Sequence, residues 1–314
     1  MELIQNTLKK ILITGGTGLV GNAIKKISKD YDNYEFIFIS SKDYDLTIFE
    51  NTQKMFEFYK PNYVIHLAAY VGGLYKNMNN KVEMFEKNIL INFNIIKCCY
   101  DYNIEKLISC LSTCIFPDKT EYPIKEEMLH NGSPHDSNYA YAYAKRMIEI
   151  HSRTYREKYG CNFICITPCN IYGPYDNFSL EDGHVLPSLI HKCYLAKKNN
   201  ENFIIRGTGK PLRQFIYSED LAKIIMILFD KNINQDNIII SSPENSEISI
   251  KDIGIIIAKN YNYEDRIVFD SSYSDGQYKK TVSIDKLNNL IGNFQFTNIE
   301  NGINNTIKWF IDNY

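Results

Sequence analysis

Residues 11–24 read ILITGGTGLVGNAI, an apolar run followed by a glycine-rich turn and the start of a helical pattern. Gly15, Gly18 and Gly21 lie where a buried strand would turn directly into a helix. Glycine lets the backbone approach a pyrophosphate at such a turn, and the helix N-terminus supplies positive potential. The stretch therefore predicts a dinucleotide-binding turn; the alternative is a tight turn with only a structural role.

The rest of the chain alternates short β-branched runs with longer helical patterns. The predicted strands are 10–14, 35–40, 62–69, 106–112 and 162–170, and the predicted helices are 18–30, 48–59, 82–102 and 138–158. This alternation is typical of an α/β fold with a doubly wound parallel Rossmann sheet. After Pro174 the alternation ends. The later sequence predicts helices at 184–198, 219–230, 249–260 and 299–313, with short strands near 203–206 and 214–217.

The change of pattern after Pro174 also predicts a division into two parts. We expect an NADP-binding Rossmann domain over 1–175, with a returning segment at about 212–240. A smaller α/β substrate-binding lobe is expected over 176–211 and 241–314. Ligands of such folds bind at the carboxyl ends of the strands.

Composition excludes several classes of protein. The 314 residues are 44% apolar and carry a net charge of −2, which argues against nucleic acid or an anionic membrane as the main partner. No apolar run approaches the roughly 18 residues of a membrane span, and the start lacks the apolar core of a signal peptide. We therefore expect a cytoplasmic protein with free thiols, and no metal site, because the cysteines lack paired histidines.

The end of the second predicted strand indicates which dinucleotide is bound. An NAD site usually has an acid there for the ribose hydroxyl, but this chain has Ser41 and Lys42, preceded by another serine. Hydroxyls and a cation suit the 2′-phosphate of NADP, and Asp43 follows too late to replace the acid. Asp45 and Leu46 are expected beside the adenine. The alternative is that Lys42 is only a solvated loop lysine.

A second motif, NYAYAYAKRM, places Tyr141 four residues before Lys145. On a helix this spacing puts both side chains on one face. A neighbouring ammonium favours the phenolate, so we expect a lowered pKa for the tyrosine. Ser112, at the end of the fourth predicted strand, could share a substrate carbonyl oxygen with this hydroxyl. Tyr139 and Tyr143 have no such partner and are interpreted as packing or substrate-lining groups.

These motifs together resemble the extended short-chain dehydrogenase/reductase superfamily. Longer segments, namely LSTCIFPDKTEYPI, NIYGPYDNF, EDGHVLPSLIHK, GTGKPLRQFIYSEDLA and SDGQYKKT, are similar to the GDP-L-fucose synthase family from about residue 9 to the C-terminus. The resemblance implies NADP(H) as cofactor, GDP-4-keto-6-deoxy-D-mannose as substrate, and 3,5-epimerisation followed by reduction at C4. It also implies a homodimer that pairs through the helices at 82–102 and 138–158.

The family's roles carry over to matching positions. Ser112, Tyr141 and Lys145 would form the reductase triad, with Tyr141 as proton donor, and Cys114 and His184 would be the acid and base of epimerisation. With the positions argued above, the expected cofactor contacts are Gly15, Gly16, Thr17, Gly18, Leu19, Val20, Gly21, Ser41, Lys42, Asp45, Leu46, Ala68, Ala69, Cys110, Leu111, Thr113, Lys145, Pro168, Cys169, Asn170, Ile171 and His184. The expected substrate contacts are Asn170, Lys192, Arg206, Arg213 and Asp275.

The implied chemistry explains a thiol near the reductase serine. A C4 ketone acidifies the hydrogens at C3 and C5, and proton removal leaves an enolate that Ser112 and Tyr141 can stabilise. Inversion needs a second acid on the opposite face. Because residues two apart on a strand point to the same side, Cys114 is expected in the pocket that Ser112 lines, with His184 facing it. The alternative is that Cys114 is a small buried hydrophobe.

One position departs from the family, because Arg206 stands where a tryptophan is common. A planar guanidinium can stack and also meet phosphate, so the contact is expected to persist, while a changed sugar or nucleotide preference stays open. The alternatives are a 4-reductase without epimerase activity, an enzyme for a different keto-deoxy sugar, and a catalytically silent NADP-binding sensor. Cys114 and His184 argue against the first, RQFIYSEDLA and DNF against the second, and the intact triad against the third.

Replacing Lys42 by alanine should weaken the preference for NADPH over NADH. A charge-assisted contact to the 2′-phosphate is worth on the order of 1.5–3 kcal/mol, roughly a tenfold or larger preference. The loss should come mainly from cofactor affinity, measured as kcat/KM with each cofactor. Equal kcat/KM values for NADH and NADPH in the unaltered protein would contradict the prediction.

Overall fold

The structure is a computed structural model that describes residues 8–314 except 232, 234–235, 274 and 276. Its strands are β1 Lys9–Thr14, β2 Tyr34–Ile39, β3 Tyr63–His66, β4 Lys106–Cys110, β5 Phe163–Pro168, β6 Asn170–Tyr172, β7 Phe203–Arg206, β8 Leu212–Arg213, β9 Phe215–Tyr217, β10 Asn237–Ile240, β11 Ile248–Ser249 and β12 Ile267–Asp270. Its helices are α1 Leu19–Ile27, α2 Phe49–Tyr59, α3 Leu74–Asn79, α4 Lys81–Asp101, α5 Tyr139–Tyr159, α6 Val185–Asn199, α7 Ser218–Asp230, α8 Ile250–Tyr261, α9 Asp285–Ile291 and α10 Ile299–Asn313.

Six strands form one parallel sheet in the order β2-β1-β3-β4-β5-β10. Strands β4, β5 and β10 are buried along their whole length, as expected for a parallel sheet covered on both faces. Apolar side chains of α1, α7 and α9 pack on one face, and those of α2, α4 and α5 pack on the other. The predicted doubly wound parallel Rossmann sheet is confirmed.

The predicted elements of the first half all occur, but three strands end two or more residues earlier than expected. The strand predicted at 62–69 ends at His66, and the one at 106–112 ends at Cys110. The prediction at 162–170 merges two strands, because β6 leaves the sheet and pairs with β9. The strand β10 was not among the predicted ones, since four residues of sequence NIII are too few to show an alternation.

The glycine turn after β1 has no room for larger side chains. Gly15 has a φ of +71°, and a Cβ there would lie 2.8 Å from the backbone nitrogen of Ala68. A Cβ on Gly21 would lie 2.6 Å from the carbonyl oxygen of Gly15. Helix α1 therefore begins in direct contact with the turn, which brings its N-terminal N–H groups close to the end of β1.

Helix α1 shows how the second half of the chain returns to the sheet. Its buried residues Val20, Ala23, Ile24 and Ile27 follow helical spacing, and the helix packs against α7. After α7 the chain continues into β10, which forms the edge of the sheet beside β5. The segment that contains α7 and β10 thus packs on the Rossmann sheet, while the exact domain boundaries remain a prediction.

A third group of buried side chains lies away from the parallel sheet. It joins α6, α8, α10 and β7, and β7 pairs in parallel with β12. Phe203, Ile257 and Phe310 are among its fully or nearly fully buried members. Over the described residues, none of the helices combines the length and the apolar character that crossing a bilayer requires.

Residues 277–283, called the strap below, connect this outer region to the sheet. The Ile124 N–H donates to the Thr281 carbonyl oxygen at 2.9 Å, and the Ser283 N–H donates to the Ile124 carbonyl oxygen at 2.8 Å. The buried Gln214 side chain accepts from the Val282 N–H at 2.7 Å and donates to the Ser242 carbonyl oxygen at 2.9 Å. The Gln214 amide therefore helps to hold the strap, and its loss would leave buried backbone groups unpaired.

Replacing Gln214 by leucine should lower the free energy of unfolding by about 2–4 kcal/mol. Leucine fills the space but leaves the Val282 N–H and the Ser242 carbonyl without partners, at about 1–3 kcal/mol for each group. Urea titration followed by circular dichroism measures the change. The exposed Gln295→Leu is the matched control and should stay within about 0.5 kcal/mol of the unaltered protein. Equal stabilities of the two variants would contradict the prediction.

Candidate active site

The carboxyl ends of β1, β3, β4 and β5 lie on one edge of the sheet. The strand order reverses between β1 and β3, which is where open α/β sheets bind ligands. The predicted cofactor residues at this edge are Gly15–Gly21 after β1, Ala68 and Ala69 after β3, Cys110–Thr113 at the end of β4, and Pro168–Ile171 at the end of β5. The Ala68 N–H donates to Thr14 Oγ1 at 3.3 Å, which links two of these strand ends.

The turn after β2 presents Ser41 and Lys42 at the surface. It is closed by Asp43, whose carboxylate accepts from the Ser40 N–H at 2.8 Å and from the Ser40 hydroxyl at 2.7 Å. These bonds lower the pKa of Asp43. Because this acid is occupied inside the turn, the exposed hydroxyl of Ser41 and the ammonium of Lys42 are the groups that face outward.

The two residues expected beside adenine differ in position. Asp45 is exposed, and its carboxylate accepts from the N–H of Thr47 at 3.0 Å and from its hydroxyl at 2.7 Å. Leu46 is buried in the core, and its carbonyl oxygen accepts from Asn94 Nδ2 at 2.9 Å. The Leu46 side chain thus packs largely in the protein interior, and its place beside the adenine stays a prediction.

Tyr141 and Lys145 share a face of α5, but their electrostatics differ from the expectation. Lys145 is almost fully buried and donates to the Cys110 carbonyl oxygen at 2.8 Å. Burial, together with the charges of Cys114 and Cys110, raises the pKa of Tyr141 well above its usual value. The predicted lowering is wrong for the protein alone, because desolvation dominates and the neighbouring thiols act in the same direction. Tyr141 is therefore a protonated phenol at neutral pH.

Ser112 and Cys114 lie close together, though not by the predicted route. The strand ends at Cys110, and Ser112 caps a 3₁₀ turn that runs from Thr113 to Ile115. The Cys114 N–H donates to Ser112 Oγ at 3.4 Å. The strand argument for a common side is therefore wrong, and a tight turn brings the two side chains together. Cys114 is 8% exposed, so burial raises the pKa of its thiol, while the charge of Lys280 and a hydrogen bond from Ser112 lower it.

A buried histidine beneath this edge is not singled out by the sequence. His66 Nδ1 lies 2.8 Å from Thr14 Oγ1, and its Nε2 lies 3.1 Å from Asn92 Oδ1. Asn92 Nδ2 donates to the Ala144 carbonyl oxygen at 3.4 Å, so its Oδ1 accepts and His66 carries its proton on Nε2. Burial and the nearby charge of Lys145 lower the pKa of His66 to about 3. The chain of bonds joins β1, β3, α4 and α5 behind the site.

A cavity of about 310 Å³ lies between the edge of the sheet and the outer region. All the site residues predicted after position 180 line it, namely His184, Lys192, Arg206, Arg213 and Asp275. The side chains of Lys192, Arg206 and Arg213 give this cavity a cationic wall. Such a wall suits a phosphate or diphosphate. Asn138, the residue before α5, lines the same cavity and connects it with the helix of Tyr141 and Lys145.

Several of these side chains already have protein partners. Asp275 accepts from the Thr208 N–H at 2.6 Å and from the Thr208 hydroxyl at 2.7 Å. The Arg213 guanidinium donates to the carbonyl oxygens of Leu212 at 2.7 Å and Gln277 at 2.6 Å. Asp275 and Arg213 therefore also fix the loop and the strap around the cavity.

The remaining predicted residues are placed as follows. His184 is the N-cap residue of α6. Its side chain has exposed surface in the protein alone, yet desolvation by the surrounding atoms lowers its pKa, which favours the neutral imidazole that a base requires. The Arg206 guanidinium lies 4.5 Å from the Tyr273 ring centroid, a stacking geometry. Asn170 Nδ2 donates to the Gln214 carbonyl oxygen at 2.8 Å, so its amide is used between strands.

The surface has a second cavity away from this site. A larger cavity of about 620 Å³ lies beside the start of β10 and contains none of the predicted site residues within the described chain. Groups of three or more His, Cys, Asp or Glu side chains able to hold a metal ion are absent from residues 8–314 as far as these are described. Lys280 lines the smaller cavity and is not predicted from the sequence, although SDGQYKKT contains it.

Comparison with known proteins assigns the chain to a family. The model of the NAD dependent epimerase/dehydratase family matches residues 11–240. The chain belongs to this family. Similar to it is the GDP-L-fucose synthase of Dictyostelium discoideum, 52% identical over 315 residues that cover 99% of this chain and 98% of that protein. The probable GDP-L-fucose synthase of Drosophila melanogaster is 45% identical and covers 98% of each chain.

A solved structure is also similar to this chain of the NAD dependent epimerase/dehydratase family. A GDP-L-fucose synthetase from Naegleria fowleri bound to NADP has a TM-score of 0.92 and 48% identity, and covers 98% of this chain and 93% of that chain. The resemblance predicted from the sequence motifs is confirmed by these relatives.

The His66 network should make stability depend on pH in a defined direction. The unfolded chain binds a proton at this histidine below about pH 6.5, whereas the folded protein does so only at about pH 3. The free energy of unfolding should therefore fall as pH drops from 6.5 towards 4, by up to about 1.4 kcal/mol per pH unit from this group. His66→Gln replaces the imidazole by an amide that can still form hydrogen bonds but does not titrate, so its profile should be flatter. Urea titrations across this range test the difference, and parallel profiles would rule it out.

Proposed function

We propose that the protein converts GDP-4-keto-6-deoxy-D-mannose to GDP-L-fucose, by epimerisation at C3 and C5 and NADPH-dependent reduction at C4. The observation that carries the proposal is the set of groups at the carboxyl edge of the sheet, namely Tyr141, Lys145, Ser112 and Cys114. A cationic cavity that contains His184 is lined by Asn138, which directly precedes the helix of Tyr141 and Lys145. The names of the relatives described above support the same reaction.

The cofactor residues of this chain fit NADPH. The turn at Gly15 and Gly21 leaves no space for a Cβ, so its backbone N–H groups can approach a pyrophosphate. Ser41 and Lys42 would hold the 2′-phosphate, since the nearby carboxylate of Asp43 is engaged by Ser40. When bound, NADPH supplies the hydride for C4.

Epimerisation requires a base, an acid and a group that stabilises the enolate. His184 is the base that removes a proton from C3 or C5, because its lowered pKa keeps it neutral. Hydrogen bonds from Ser112 and Tyr141 stabilise the negative charge on the C4 oxygen. Cys114 returns a proton to the opposite face of the carbon, which inverts the configuration.

Reduction uses Tyr141 as the proton donor. Its raised pKa keeps the phenol protonated at neutral pH, and its proton passes to the C4 oxygen as hydride reaches the carbon. Lys145 lies one turn along the same helix, and its ammonium is fixed by the Cys110 carbonyl. A positive charge there stabilises the phenolate that forms.

The cationic wall suits the GDP portion of the substrate. Lys192 and Arg213 would meet the diphosphate, and burial together with the charge of Arg206 lowers the pKa of Lys192, so an anion between them would be favourable. Arg206, stacked on Tyr273, would offer its planar face to the base or sugar. This geometry supports the view that Arg206 makes the stacking contact for which the family commonly uses a tryptophan.

A homodimer and a cytoplasmic location are parts of the same proposal. Helices α4 and α5 pack together and expose apolar side chains on their outer surface. These are Val82, Phe85, Leu90 and Phe93 on α4, and Tyr139, Met147 and Tyr159 on α5. Two copies that pair through these helices would cover this surface.

Cys114→Ser and Tyr141→Phe should separate the two reactions. Serine is a far weaker acid than a thiol, so Cys114→Ser should slow epimerisation by about 10²-fold or more while hydride transfer survives. The unepimerised ketone would then be reduced slowly to a rhamnose- or talose-type 6-deoxy sugar. Tyr141→Phe should instead cripple reduction of every epimer.

The measurement is NMR of the products in D₂O, with deuterium at C3 and C5 followed beside NADPH consumption. Cys161→Ser, at a partly exposed cysteine outside the predicted site, is the matched control and should behave like the unaltered protein. If Cys114→Ser yields the fucose product at a near-normal rate with full deuterium exchange, the thiol has only a packing role.

A further inference from the structure

Arg146 follows Lys145 on α5, and its guanidinium binds the end of the turn that contains Cys114. Its Nε donates to the Ile115 carbonyl oxygen at 3.0 Å, and its Nη2 donates to the same oxygen. The arginine is 5% exposed, so these charge-assisted bonds lie in surroundings of low dielectric constant, which strengthens them. Ile115 directly follows Cys114 and is the last residue of the 3₁₀ turn. The arginine therefore fixes the end of that turn.

The same guanidinium also binds the loop that runs from this turn to α5. Nη1 of Arg146 donates to the Gly132 carbonyl oxygen at 2.9 Å. A planar guanidinium presents its donors in several fixed directions, so one side chain holds both segments. The loop has a second closure, because the Asp118 N–H donates to the Ser133 carbonyl oxygen at 2.9 Å. Asn138, which lines the cavity, thus belongs to a loop that does not depend on the arginine alone.

The beginning of the turn is fixed by the sheet. The Leu111 N–H donates to the Ile166 carbonyl oxygen at 2.8 Å, so the backbone directly before Ser112 is bound to β5. Ser112 in turn accepts from the Cys114 N–H at 3.4 Å. The serine is therefore tethered beside the strand, whereas Cys114 lies nearer to the end that Arg146 holds. Loss of the guanidinium should displace the thiol more than the serine hydroxyl.

We propose that Arg146 is a positioning residue for epimerisation, and that its guanidinium sets the place of the Cys114 thiol by holding the end of the turn. The inference rests on the proposed function, in which this thiol protonates the sugar carbon. An acid must lie close to the carbon that it protonates, and a displacement of about 1 Å can slow such a step by about 10²-fold. Tyr141 and Lys145 lie on α5 itself, so reduction at C4 should depend less on Arg146.

The first test measures hydrogen exchange of the turn in the protein without substrate. The Ile115 N–H donates to the Ser112 carbonyl oxygen at 3.1 Å, so exchange of this amide reports whether the turn is closed. Mass spectrometry of the peptide that contains Ile115 should show exchange at least about tenfold faster in Arg146→Met than in the unaltered protein. Arg146→Lys keeps a cationic donor in the same space and should restore part of the protection.

Arg156→Met is the matched control, because Arg156 lies on the same helix and its side chain is also largely buried. Its Nη1 donates to the Phe163 carbonyl oxygen at 2.7 Å, and its Nη2 pairs with Asp236, so it does not hold the turn. Exchange at Ile115 should be as slow in Arg156→Met as in the unaltered protein. Fast exchange of this amide in the unaltered protein, or equal exchange in the two methionine variants, would overturn the proposal. If Arg146→Met fails to fold by circular dichroism, Arg146→Gln takes its place.

The second test asks whether the arginine acts through the thiol. Arg146→Met should slow deuterium incorporation at C3 and C5 by about tenfold or more, with little change in KM for the nucleotide-sugar. In the Cys114→Ser background the same change should slow it by less than about twofold, because two changes that act through one group are not additive. Equal slowing in both backgrounds would overturn the proposal. If the unaltered protein does not convert the sugar, the proposed function fails, while faster exchange at Ile115 in Arg146→Met still assigns the arginine to the turn.

Discussion

The burial of one ammonium, that of Lys145, constrains the whole carboxyl edge of the sheet. The side chain is 2% exposed and donates to the carbonyl oxygen of Cys110. A charge in such a place requires that its neighbours be neutral or able to become anions. The neighbours meet this requirement, because His66 has a lowered pKa, and Cys110 and Cys114 are thiols with raised ones. A second cation close by would be costly, which explains a neutral imidazole beneath the site.

The site also depends on how separate segments of chain are held together. The first half supplies the cofactor edge and one side of the cavity, and the rest of the cavity wall comes from α6, β7 and the region after position 206. The side-chain amide of Gln214 and the backbone of Ile124 bind the strap, and Arg213 and Asp275 fix the loops around it. The same residues thus hold the architecture and shape the cavity. This dual use is a reason to measure stability and substrate affinity together.

The sequence predicts those parts of the molecule that depend on local spacing. The glycine turn, the Tyr141 and Lys145 pair and the alternating elements all have short-range signals, and the structure has each of them. It does not predict features that depend on distant contacts. His66 and Asn92 are 26 residues apart and meet only because β3 and α4 are packed together. The raised pKa of Tyr141 follows from burial in three dimensions, and the turn at Ser112 follows from where β4 leaves the sheet.

The late position of the strap in the chain has a consequence for protein synthesis. The glycine turn and the strands β1, β3, β4 and β5 emerge from the ribosome long before residues 277–283. The edge strand β10 also follows them, so the sheet is completed only after residue 240 has emerged. A nascent chain can therefore assemble most of the cofactor edge while the wall that carries Lys280 does not yet exist. The wall of the cavity is therefore completed only after residue 283 has emerged, and a chain that ends before the strap would lack that part of the wall.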